Sequence, residues 1–244
     1  MANANETYLI DAWDAEMAAI AAIGAAASAE QWHAPTRLAG WSVADIVAHV
    51  IDIESVLAGD PRPDHVPDYA SLPHVDEDIA RFTEVGVDAR RGLPKDAVIA
   101  ELGEIRTRRI DVLRALPDDA EVLGPTGRLQ PLARMLSMRC LDLWTHEQDL
   151  RAALGLPADH SSAACDITYR TAIPLSQRSW QAQDPSPGAL TITVTEPEAY
   201  REVLDFAGAG DALALACTMP ELLDRMIGRD PSADSRWRAL VIAP

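Results

Sequence analysis

Cysteine is scarce. Cys140, Cys165 and Cys217 are the only three, they are scattered, and none belongs to a C-x-x-C pair. Such a set reads as free thiols in a reducing cytoplasm rather than as a disulfide framework. Long apolar runs are missing too, none approaching the roughly 20 residues that a helix needs to cross a bilayer. The opening MANANETYLIDAWD has neither a basic n-region nor an apolar h-region, so no secretory signal is expected. Positive charge is in deficit: Lys95 is the one lysine, and 21 basic residues face 38 acidic ones for a net charge of −17. That field repels a nucleic-acid backbone and disfavours anionic membranes, although one local arginine can still hold a small anion. No G-x-S-x-G, P-loop or dinucleotide fingerprint is present either.

What remains is a globular balance, 48% hydrophobic and 24% charged over 244 residues, enough to bury a real core. Up to residue 155 the pattern is helical. Leu9, Trp13, Met17, Ile20 and Ile23 recur at helical spacing between Glu6 and Ala27. Ser42 followed by Asp45 resembles a capping box, and Val43, Ile46, Val47, Val50, Ile53 and Leu57 follow before Gly59. The Pro- and Asp-rich stretch from Gly59 reads as a loop, with a short helix over Asp76–Val85. Pro94 opens a long helix to Leu116, and a turn at LGPTGRLQ leads to Pro131 and a helix closed by Gly155.

After Ala158 the texture changes. One more helix is expected over Ser161–Gln181, disturbed at Pro174. Leu190, Ile192 and Val194 alternate with threonines as a strand, and EVLDFAGAGDALALACT reads as two strands around a Gly-rich turn. Thr218 caps a last helix ending at Gly228, and Trp237–Ile242 reads as a further strand. The expected class is α+β: an antiparallel four-helix bundle over 1–158, then a small α/β domain over 159–244.

Chemistry concentrates on one stripe. Asp142 and His146 stand four apart in D-L-W-T-H, which stacks them one turn apart on a helix, with Arg139 beside them. A carboxylate and an imidazole so placed form a two-ligand clip for a borderline-soft dication. His49, inward on the second long helix, is the candidate third ligand, and three protein ligands leave a position open, as catalytic zinc sites do. Spacing alone equally allows a solvated ion pair and a satisfied core histidine, and it cannot bring His49 to the other helix. His74 with Asp76 and Asp78 is a weaker metal candidate against a solvated acidic loop. His33, His65 and His160 lack partners at ligand spacing. Asp52 and Glu54 read chiefly as surface charge, with a supporting place behind the ligands on His49's helix as the alternative. The cysteines read as buried and inert. Arg229, in M-I-G-R, is the candidate grip for an anionic substrate, with a helix-dipole role as the competing reading.

W-S-V-A-D-I-V-A-H-V around His49, preceded by A-P-T-R-L-A-G, resembles one signature of the mycothiol-dependent maleylpyruvate isomerase family. R-C-L-D-L-W-T-H-E-Q-D-L-R-A-A-L-G at 139–155 resembles a second, and E-V-G-V-D-A-R-R-G at 84–92 also looks like its members. The C-terminal part resembles the small sterol-carrier-like domain that often follows the DinB-like bundle. The resemblance implies a zinc, or another divalent metal, held by His49, Asp142 and His146, and a catalytic arginine in the C-terminal domain for which Arg229 is the nearest match; Arg139, on the Asp142 stripe bordering the bundle interior, is the candidate cofactor contact. At Asp142 this chain departs from the type member, which has glutamate. The implied chemistry uses mycothiol or another low-molecular-weight thiol as nucleophile: addition to a cis double bond of a small unsaturated acid, rotation, and elimination of the trans product. Thiol S-transfer to a small electrophile, and a non-catalytic module binding a small ligand, are the alternatives. The implied partners are a small-molecule substrate and a thiol, with no nucleic acid and no membrane.

Overall fold

The computed structural model describes residues 4–117, 119–183, 188–230 and 240–242. The chain divides into two compact units, Met1–Ala164 and Cys165–Pro244. In the first, four long helices form a bundle: α1 (Ala4–Ala26), α3 (Val43–Leu57), α5 (Lys95–Ala115) and α6 (Leu132–Ala153). Helices α5 and α6 each pack against both α1 and α3, so the order around the bundle is α1, α5, α3, α6. The core follows from helical spacing: Leu9, Trp13, Met17 and Ile20 of α1 are buried, as are Ile46, Val50 and Ile53 of α3 and Leu136, Cys140, Leu143 and Leu150 of α6.

Local chemistry marks several of the helix ends. The Ser42–Asp45 capping box is closed in both directions: the Ser42 amide donates to Asp45 Oδ2 at 2.8 Å, and the Asp45 amide donates to Ser42 Oγ at 3.3 Å. At the far end of α6, Gly155 takes φ +67°, a left-handed turn that side-chain-bearing residues avoid. Pro94 and Pro131 stand just outside α5 and α6 as their N-caps rather than at the first helical position.

Further differences separate this unit from the sequence reading. A single turn of helix, α2 (Ala29–Trp32), follows α1, and α4 covers Asp78–Asp88 rather than 76–85. The LGPTGRLQ turn joins two short antiparallel strands, β1 (Glu121–Leu123) and β2 (Leu129–Pro131). Three-residue strands whose facing leucines, Leu123 and Leu129, are both exposed carry no alternation to read.

The second unit holds α7 (Ala163–Gln181), which begins just before the division, a three-stranded sheet and α8 (Met219–Met226). Helix α7 runs unbroken through Pro174. In the sheet, β3 (Gly188–Val194) lies between β4 (Glu202–Phe206) and β5 (Gly210–Cys217), antiparallel to the first and parallel to the second. The Gly-rich segment between β4 and β5 is therefore a crossing from one edge to the other, not a hairpin turn. Leu190, Ile192 and Val194 are buried with Leu204 and Phe206, as the alternation requires. Thr218 caps α8 in a closed capping box with Glu221. The expected last strand, Trp237–Ile242, lies mostly outside the described residues, and 240–242 are not in a strand. Among the described residues no helix is long and apolar enough to cross a membrane.

Candidate metal centre

Helices α3 and α6 lie against each other, and that contact joins what is far apart in sequence. His49 projects from α3; Asp142 and His146 project from α6. His49 Nε2 stands 3.7 Å from Asp142 Oδ2, and His146 Nε2 stands 3.7 Å from Asp142 Oδ1. The two imidazoles meet edge to face with centroids 4.8 Å apart. One ligand atom from each residue fits within a mutual 4.8 Å, and this is the one such His/Cys/Asp/Glu cluster among the described residues. Tetrahedral zinc with N and O ligands at about 2.0–2.2 Å spaces them about 3.3–3.6 Å apart. The donor set therefore fits a single dication after small side-chain movements, through Nε2 of both histidines.

The charge states suit the same task. Burial lowers the His49 pKa against the pull of Asp142, so the ring is held neutral with a lone pair to offer. Burial alone would raise Asp142, but Arg139 and the two imidazoles outweigh it and hold the carboxyl well below the ordinary carboxylate range. Arg139 is the link. Its Nη1 donates to Asp142 Oδ2 and its Nε to Glu54 Oε1 at 2.9 Å. Glu54 is fully buried and also accepts from Trp13 Nε1 at 3.0 Å and Arg109 Nε at 3.1 Å. Two arginines offset the burial of Glu54, and its pKa falls below normal. Behind His146, Nδ1 is 3.6 Å from Oδ2 of the fully buried Asp149, the side on which metal-ligating histidines usually find a carboxylate.

Residues 13–151, more than half of the chain, match the model of the mycothiol maleylpyruvate isomerase N-terminal domain. The chain belongs to that family. Two solved structures, of mycothiol-dependent maleylpyruvate isomerase and of a histidine-to-alanine mutant of it, share the fold with TM-scores of 0.65 and 0.64. Each is 18% identical, over 92% of this chain and 90% of the solved one. No curated protein matches the sequence.

Within this member of the maleylpyruvate isomerase family, the other sequence candidates separate. His74 is 3.5 Å from Glu84 Oε2, and it forms no metal cluster with Asp76 and Asp78. His65 pairs with Asp88 at 2.6 Å, and His160 lies against Trp144. All three cysteines are buried, and burial pushes the Cys140 thiol up to about 12, so it is no nucleophile. Asp52 and Glu54 correct the surface-charge reading: both are buried, Asp52 against Arg62 and Arg90 and Glu54 as described. Helical spacing shows which face a residue is on, but the cations of these buried acids come from other segments of the chain. Arg229 belongs to the second unit, half-buried just past α8, where its Nη1 donates to the Ile227 carbonyl at 3.0 Å. Sequence reasoning missed Asp149, although its i+3 spacing from His146 was visible. It also missed Trp41, whose ring lies 5.1 Å from His49 and 6.3 Å from His146.

Proposed function

We propose that this chain is a zinc-dependent enzyme that uses a low-molecular-weight thiol, mycothiol or a relative, to isomerise a small cis-unsaturated acid of the maleylpyruvate type. The observation that carries this reading is the convergence of two imidazoles and one ionised carboxylate from two helices, with three ligands and thus an open fourth position. Zinc so held supplies the Lewis acidity that makes a bound thiol nucleophilic at neutral pH. His49, His146 and Asp142 hold the ion. Arg139, donating to Asp142 Oδ2, would hold that carboxylate in place and ionised beside the two imidazoles. Its buried Nη2, which has no hydrogen-bond partner, is left for a polar group of the cofactor. Arg229 is the cation offered to the substrate's carboxylate. The net charge of −17 supports a small-molecule role over a nucleic-acid one, and three buried cysteines outside any disulfide suit a reducing cytoplasm.

The test is a cis-to-trans conversion assay on maleylpyruvate with protein purified without a metal-affinity tag. The rate should require both mycothiol and the metal, vanish on chelation and return with zinc. Arg229→Ala should lower kcat/KM at least tenfold with metal content unchanged. A thiol adduct accumulating in place of the trans acid would assign S-transfer instead. Conversion that ignores the metal would sink the proposal.

A further inference from the structure

The 84–92 block, E-V-G-V-D-A-R-R-G, carries no metal ligand, yet it is tied to the metal cluster through one side chain. Glu84, fully buried, accepts a hydrogen bond from Trp41 Nε1 at 3.0 Å on Oε2. Its Oε1 pairs with Arg91 Nη1 at 2.6 Å. Arg91 is itself fixed by Asp45 at 2.9 Å and Asp88 at 2.7 Å. The backbone of Trp41 is held as well, since the Thr36 amide and hydroxyl both donate to its carbonyl, at 3.0 and 2.9 Å. Burying a carboxylate is costly, and this one is compensated on both oxygens, by the indole N–H and by Arg91. This indole is oriented, and its ring lies beside both metal-site imidazoles, tilted by 43° to His49 and 36° to His146.

The exposure pattern says what the indole borders. The side chains of His49, His146 and Arg139 are 7%, 10% and 5% exposed, whereas Asp142 is 33% exposed and Trp41 is half-buried. Of these groups, Asp142 and Trp41 flank the open side of the cluster. Resting on the metal-and-thiol reading above, we propose that Trp41 is the wall of the thiol seat, its indole packing against the carbon chain beside the sulfur. Glu84 and Arg91 are positioning residues that hold the indole in place. The family-like 84–92 block thus acts on the site from outside it.

The full-length protein loaded with cobalt(II) reports this directly, because the visible spectrum of the ion changes when a thiol joins it. Titration with mycothiol should give a dissociation constant about tenfold weaker in Trp41→Ala, and in Trp41→Leu, which keeps apolar bulk, with cobalt content unchanged. Trp41→Phe should fall between these and the wild type. Glu84→Met should weaken the thiol in the wild-type background and add nothing on top of Trp41→Ala, which a general loss of structure would not do. Unchanged thiol affinity in Trp41→Ala and Trp41→Leu overturns the inference. So does loss of cobalt in those variants, which would assign Trp41 to holding the histidines. A wild-type protein that binds cobalt but whose spectrum ignores the thiol takes down the thiol reading itself, and this inference with it.

Discussion

Asp142 and Glu147 stand five residues apart on one helix, and both belong to buried acidic sites, yet the two sites hold protons in opposite ways. Asp142 has Arg139 against it and two imidazoles beside it, and stays ionised. Glu147 faces another acid, Glu16 of α1. Its oxygens accept from Arg151 at 2.8 Å and Gln148 at 3.0 Å. One arginine neutralises one carboxylate, so the burial of Glu16 and the charge of Glu147 push Glu16 up to about 8. Glu16 is thus a proton donor at neutral pH, held between two helices. The comparison teaches that position on a helix does not set an acid's charge here; the number of arginines within reach does.

The comparison can be broken at the arginine. Arg139→Met should leave Glu54 and Asp142 under-compensated in the bundle and cost about 3 kcal/mol, read as a lower urea midpoint with unchanged slope. The same variant should weaken zinc binding, measured by competition with a chromophoric chelator. Glu16→Gln sharpens the other side. Because the folded-state pKa of Glu16 lies above its unfolded value of about 4.5, its contribution is fully present below pH 4.5 and is lost as pH rises toward 8. Wild-type stability should therefore decline across that window, while the Gln variant should decline less and be the more stable protein above pH 8. A matching slope in both would mean that Glu16 is already ionised at neutral pH. The smallest effect belongs to the cap of His49's helix: Ser42→Ala should cost about 1 kcal/mol by thermal melting and leave metal affinity within about threefold.

How much of this could be read without coordinates follows from the range of each interaction. The D-x-x-x-H stripe, the Ser42 and Thr218 caps and the stop at Gly155 depend on neighbours within one turn, and the chain order displays them. That His49 reaches α6 is a property of the packing of two helices about 90 residues apart, and only the family resemblance anticipated it. Glu54 looked like surface charge because its three donors, Trp13, Arg109 and Arg139, come from three other helices. Trp41 and Glu84 are 43 residues apart with no periodic pattern between them. The β4–β3–β5 order was hidden for a related reason. A Gly-rich link between two strands looks the same whether it turns back or crosses the sheet.

The central claim is that one dication is shared by His49, His146 and Asp142. X-ray absorption at the zinc edge of the purified protein tests it most directly. The account predicts one zinc per chain with two imidazole nitrogens and a carboxylate oxygen in its shell, and no zinc in His49→Ala or His146→Ala. Full zinc occupancy in both variants, or a shell without imidazole, would contradict it.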